Sequence, residues 1–264
     1  IWKGLVGSEM CIRDRINMSP MSPSDVQLKI PGRKYGKPIP MTEEDIQDVI
    51  NRFVFAAKIA RESGFDGIQL HSAHGYLLSQ FLSPDINQRT DAWGGSLENR
   101  ARIHLEIIKK CREEVGNDFA ISIKMNSADF QKGGFSPEDS IQVAKLFSDS
   151  GIDNIEISGG TYEQPRLLGL DKVSINPKRS ENRKESTIAR EAYFLSYAEE
   201  IAKVVNIPLM VTGGFRTKEG MEAALRDGAC EIVGVGRPLC ANPYAIKELL
   251  AGQIDELPKY EKTL

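Results

Sequence analysis

Cysteine is scarce and scattered in this chain. Cys11, Cys111, Cys230 and Cys240 stand too far apart for a paired-thiolate metal knuckle, and they form no spaced framework of disulfides. A reducing compartment is the default, and a cytoplasmic location is expected. Long apolar runs are missing too: no window approaches the roughly 18 uninterrupted apolar residues of a membrane-spanning helix, and mean hydropathy is −0.32. No membrane partner is expected. Nor is charge of one sign in excess, since 34 Lys and Arg against 37 Asp and Glu leave a net charge of −3. Without a long basic run, a nucleic-acid backbone has nothing to grip.

The start of the chain lacks periodicity of any kind. Residues 1–15 hold no apolar core followed by a small-residue cleavage site, so they do not read as a signal peptide. We expect residues 1–18 to be an unmatched leader with the look of a translated linker artefact, and Ser19-Pro20-Met21-Ser22-Pro23-Ser24 to be a turn-rich connector.

What is present begins near Met41. Thr42 is an expected N-cap, with acidic residues at 43–45 and apolar residues at Ile46, Val49, Ile50, Phe53 and Ala57, the spacing of an amphipathic helix. Ser63-Gly64 ends it, and residues 66–70 form a short strand that delivers His71. The unit recurs. Helices over 97–115, 137–150, 188–205 and 218–227 precede strands over 119–125, 153–157, 207–211 and 231–235, and a last helix follows near 243–250. Short apolar strands alternating with amphipathic helices require an α/β fold with parallel strands. An open doubly wound sheet and a closed eight-stranded barrel compete. Five strands alone leave edges bare, which points to missing strands, and polar residues at several strand ends, Ser158-Gly159-Gly160 among them, favour the barrel.

Polar residues stand at the strand ends. His71, His74 and Tyr76 fall within six residues, and a spacing of three sets both imidazoles on one side of a helical turn, where two donors can grip one oxygen. The plainer reading makes one histidine a cap and Tyr76 a core residue. Histidine pairs at this spacing also bind zinc or iron, which keeps a metal-dependent barrel hydrolase as a rival, although no third ligand is evident nearby. Lys124 lies in the second strand. The last two strands run into Thr212-Gly213-Gly214-Phe215 and Gly234-Val235-Gly236-Arg237, where backbone N–H groups and a guanidinium can meet a phosphate.

The residues at 71–81, then Leu82-Ser83-Pro84, Asn87, Arg89-Thr90-Asp91, Trp93-Gly94-Gly95-Ser96 and Glu98-Asn99-Arg100, resemble the Old Yellow Enzyme family of FMN-dependent NADH:flavin oxidoreductases and ene-reductases. The likeness continues to Gly236-Arg237-Pro238-Leu239. It implies a TIM barrel that binds FMN at its top, with strands four to eight present and residues 19–264 forming its C-terminal part. By that likeness His71 and His74 polarise the carbonyl or nitro oxygen of an activated alkene, and Tyr76 protonates its carbon. NAD(P)H is the implied reductant. Lys124 stands where the family more often has an arginine near the flavin pyrimidine edge, a departure that bears on flavin potential. Gly213, Gly214, Gly236 and Arg237 are expected to hold the FMN phosphate, and no metal is expected. Arg89, Asp91, Glu98, Asn99 and Arg100 should organise a loop and cap the next helix. Residues 161–186 read as a lid or a solvated basic loop. A small-molecule substrate and a leaning toward a homodimer complete the reading. Its alternative is an inactive fragment of such an enzyme, and an iron–sulfur extension beyond Leu264 stays open.

Overall fold

Thr42 opens the regular part of the chain. The computed structural model describes residues 19–28, 35–161 and 194–258. A short parallel pair comes first, β1 (Met21–Ser22) with β2 (Ile39–Pro40). This corrects the expected connector. The segment is tied down: Ser22 donates to Gln80 Oε1 at 2.9 Å, and Arg89 Nη1 donates to the carbonyls of Pro23 and Met41.

Helix α1 (Glu43–Glu62) then starts in a capping box, with the Thr42 side chain accepting from Asp45 N and Asp45 Oδ2 accepting from Thr42 N at 2.8 Å. It buries Ile46, Val49, Ile50 and Ala57, and Gly64 at φ 82 lets the chain turn away. Strand β3 (Gly67–Ser72) leads to the short helix α2 (Leu77–Leu82), which the sequence pattern did not announce. Helix α3 (Leu97–Val115) is capped by Ser96, whose side chain accepts from Asn99 N, rather than by the charged residues expected to do so. A hydroxyl one residue before the first turn reaches an orphan N–H, and a longer acidic side chain does not need to. Strand β4 (Ala120–Asn126), helix α4 (Pro137–Asp149) and strand β5 (Asn154–Ser158) follow. Helix α5 (Leu195–Ala202) is the described part of the helix expected over 188–205, whose start lies outside the described residues. Strand β6 (Leu209–Thr212), helix α6 (Lys218–Arg226), strand β7 (Ile232–Gly234) and the short helices α7 (Arg237–Ala241) and α8 (Ala245–Leu250) close the described order. All but Thr161 of the expected lid at 161–186, and the whole leader at 1–18, also lie outside the described residues.

Strands β3 to β7 make one sheet in sequential order, every pair parallel. That order is the barrel's, since a doubly wound sheet reverses direction at a switch point. Register partners in a parallel sheet share a face, and successive residues alternate between faces. One face carries the rows Leu70, Ile123, Ile155, Leu209 and Ser72, Met125, Ile157, Val211, all buried. Helices seal it. Each such Ile or Leu contributes about 1.5–3 kcal/mol by leaving water. The other face carries the row His71, Lys124, Glu156 and Met210. It is polar where an ordinary interior would be apolar.

Among the described residues, β3 and β7 each have one flank without a partner strand. Large apolar side chains are exposed in the first and last units, namely Phe55, Ile59 and Phe65, and Leu225 and Ile232. Both edges have the character of surfaces that a completed barrel would cover. No described helix is long and apolar enough to cross a membrane.

Candidate functional site

His71 is inside its strand, not beyond it. It pairs in register with Lys124 on β4, and its ring lies 5.5 Å from that of His74 and 5.1 Å from that of Tyr76. The three do converge, but by another geometry than the helical turn expected from their spacing. His74 adopts φ 63 and Gly75 φ 80, a left-handed pair that swings the chain out of the strand before α2 begins. A non-glycine residue there costs about 1–3 kcal/mol unless its surroundings hold it. Two partners do so. His74 N donates to Asn126 Oδ1 at 3.1 Å, and its Nε2 shares a hydrogen bond of 2.7 Å with Ser158 Oγ. Asn126 is itself fixed, donating to Asp129 Oδ1 and to the Gly160 carbonyl. Burial raises the Asp129 carboxyl above its usual range even though Ser83, Phe135 N and Asn126 all donate to it.

Burial, with the Lys124 cation adding to it, holds both His71 and His74 down at about 4. Near neutrality both rings are uncharged, each with one N–H to give and one lone pair to offer. Lys124 Nζ meets Glu156 Oε1 at 2.8 Å, and Gln69 Nε2 donates to Glu156 Oε2 at 2.9 Å. Burial alone would push Glu156 up, but the hydrogen bond and charge of Lys124, helped by Thr212 and Gln69, bring its carboxyl below the usual value. It stays a carboxylate. The loop between β3 and α3 is held as expected by its charged motif: Arg89 pairs with Asp91, Asn87 donates to the Phe81 and Trp93 carbonyls, and Arg100 pairs with Asp139 at 2.9 Å.

The glycine loops leave neighbouring strands at the same end as these side chains, because Thr212 on β6 pairs with Gly234 on β7. Gly213 and Gly214 take φ 125 and 89, which L side chains rarely adopt. Gly236 precedes α7, and a Cβ there would meet open space. Arg237 begins that helix and is exposed. The expected phosphate residues thus follow the ends of two neighbouring strands, at the opposite edge of the sheet from the imidazole cluster on β3.

The sequence profile of the NADH:flavin oxidoreductase / NADH oxidase family matches residues 3–256. This chain belongs to that family. The match takes in most of the leader, which carries no motif of its own. An NADH-dependent flavin oxidoreductase, iliE, of Hypocrea jecorina (strain QM6a) is 40% identical over 221 residues, 82% of this chain and 52% of that protein. A 2-naphthoyl-CoA reductase solved with 2-naphthoyl-CoA has a TM-score of 0.77 at 30% identity, over 90% of this chain and 34% of the other. An Old Yellow Enzyme homologue from Zymomonas mobilis shares the fold, with a TM-score of 0.67 at 24% identity, over 90% of this chain and 62% of the other. The chain therefore spans about half the length of the first of these relatives, and its five strands are part of a TIM barrel. FMN is the cofactor of this family of oxidoreductases, and reduced nicotinamide nucleotides are its electron source.

Several residues of the site escaped the motif reading. Glu156, Asn126 and Gln69 help to hold Lys124 and His74, yet none sits in a recognisable motif, whereas Ser158, with Gly159 and Gly160, is a polar strand end that the sequence does show. One signal was available: a glutamate between Ile155 and Ile157 in a strand covered on both faces must point into the barrel, toward a cation. Among the described residues, no group of three His, Cys, Asp or Glu comes together to hold a metal.

Proposed function

We infer that this chain supplies the proton-donor loop and the phosphate cradle of an FMN-dependent oxidoreductase that passes hydride from NAD(P)H to an activated alkene. The observation that carries the reading is the meeting of two neutral imidazoles, a phenol and a paired lysine at one end of a parallel sheet whose neighbouring strands end in glycine turns. The residues fit FMN. A dianionic phosphate is suited to the left-handed turn at Gly213 and Gly214, to the open space at Gly236 and to the Arg237 guanidinium. When bound, FMN would supply the hydride chemistry of both half-reactions.

The chain's own residues do the rest. His71 and His74 would donate to the substrate oxygen, which gains negative charge as the alkene is reduced, so the bonds strengthen toward the transition state. Neutral rings can do this without a buried charge. Ser158 occupies Nε2 of His74, so His74 would present its Nδ1–H while Ser158 donates to Nε2. Tyr76, 5.1 Å ring to ring from His71, would give a proton to the other alkene carbon. Lys124 would place positive charge at the flavin's pyrimidine edge as a point charge rather than a two-pronged donor.

Anaerobic titration of the purified protein carrying FMN tests this reading. NADH or NADPH should bleach the bound flavin, and a cyclic enone should restore the colour. Flavin that is bleached but restored only by oxygen would contradict the alkene assignment. A second reading, that this length of chain is inactive alone, is supported by β3 and β7, each of which has one flank without a partner strand among the described residues. It predicts a colourless protein that quenches no FMN fluorescence.

A further inference from the structure

The polar face of the sheet holds a charge pair whose second member has no assigned work. Glu156 is buried, with its side chain 6% exposed, and both its oxygens are engaged, one by Lys124 and the other by Gln69. Lys124 is 19% exposed and sits in register between His71 and Glu156, at the C-terminal half of its strand. A buried carboxylate is costly, and a hydrophobic residue would fill the position more cheaply. Structure alone does not call for it, because the flanking Ile155 and Ile157 already pack the helical side.

We propose that Glu156 is the counter-ion that meters the positive charge Lys124 presents to the flavin, and so sets the cofactor's redox potential; this rests on the flavin reading above. A cation at the pyrimidine edge favours the reduced cofactor because reduction adds negative charge there. With Glu156 ionised beside it, the pair is neutral as a unit, and that pull is held back. The charges facing this point from the packed elements are Lys124 on β4 and Glu156 on β5. His71 on β3 and His74 in the loop that follows are neutral at pH 7. Glu156 is thus a positioning and tuning residue rather than a catalytic one.

The test is a four-membered cycle read by spectroelectrochemical potential and by sulfite affinity, neither of which requires turnover. Counting charge at the site gives +1 for Glu156→Gln, zero for the wild type, zero for the Lys124→Gln/Glu156→Gln double variant, and −1 for Lys124→Gln. The potentials should fall in that order, with wild type and double variant together. Sulfite, whose adduct also leaves negative charge on the flavin, should bind about tenfold more tightly to Glu156→Gln, the scale of one uncompensated charge in a half-buried site. Glu156→Asp should return the value toward wild type. A readout free of flavin accompanies it: by NMR, the His71 titration should move up in Lys124→Gln and down in Glu156→Gln. An unmoved or lowered potential in a folded, FMN-loaded Glu156→Gln protein overturns the proposal. A wild-type chain that takes up no FMN overturns the flavin reading beneath it, which is visible before any potential is measured, while opposite His71 shifts would still establish the charge pair.

Discussion

The two ends of the site are built on opposite plans. On the β3 to β5 side, three polar side chains are held by named partners: His74 by Asn126 and Ser158, Lys124 by Glu156, and Glu156 by Gln69. On the β6 to β7 side the loops are short, glycine-rich and more exposed. Groups that move protons must be preorganised, because misplacement by an ångström costs rate. Groups that hold a dianion need only backbone N–H donors with room in front of them. One side is pre-set and the other receives.

Changes that break this contrast should differ in kind. The largest expected effect is on the pre-set side: Tyr76→Phe should slow reoxidation of the flavin by an enone about 100-fold or more. Reduction by NAD(P)H should stay within about twofold, and stopped-flow measurement of each half-reaction separates the two. On the receiving side, Arg237→Ala should leave the donors intact and weaken FMN binding about 10- to 100-fold, the scale of one charge-assisted contact, read by quenching of flavin fluorescence. Gly234→Ala and Gly236→Ala then sharpen the picture within one loop. A Cβ at Gly234 would overlap the Thr212 hydroxyl and crowd Met210, whereas one at Gly236 meets nothing. Chemical denaturation should show a loss of about 1–3 kcal/mol for the first and less than about 0.5 kcal/mol for the second.

Acid should act mainly on the pre-set side. His71 and His74 are held at about 4, and His104, wholly buried against Ser72, at about 3 by burial. All three lie below the value of an unfolded histidine, so the unfolded chain takes up protons first as pH falls below about 6.5. Stability should be full above that pH and decline toward pH 4 and below, partly offset by Asp129, whose raised carboxyl binds its proton earlier in the folded state. Urea midpoints measured from pH 8 to pH 4 check the direction, and a midpoint that rises on acidification would contradict it.

The same contrast explains what the sequence disclosed. Helices with a hydroxyl cap and an apolar stripe, such as those starting after Thr42 and Ser136, were legible because their signals are local. So were the five strands, within one or two residues. Short α2 and α7 carry too few turns to show a period. The parallel β1 and β2 pair joins segments seventeen or more residues apart, and nothing in a Pro/Ser stretch announces its partner. Within the site, His71, His74, Tyr76 and the glycine turns stood out as motifs. Glu156 and Asn126 did not, since their meaning lies in register across strands, which only the fold supplies.

A crystal structure of the protein grown with FMN tests the central claim most directly. The phosphate should lie within hydrogen-bond reach of the backbone at Gly213, Gly214 and Gly236 and of Arg237, with the flavin ring facing His71, His74 and Tyr76. A phosphate bound elsewhere, or a ring turned away from those three side chains, would contradict the account.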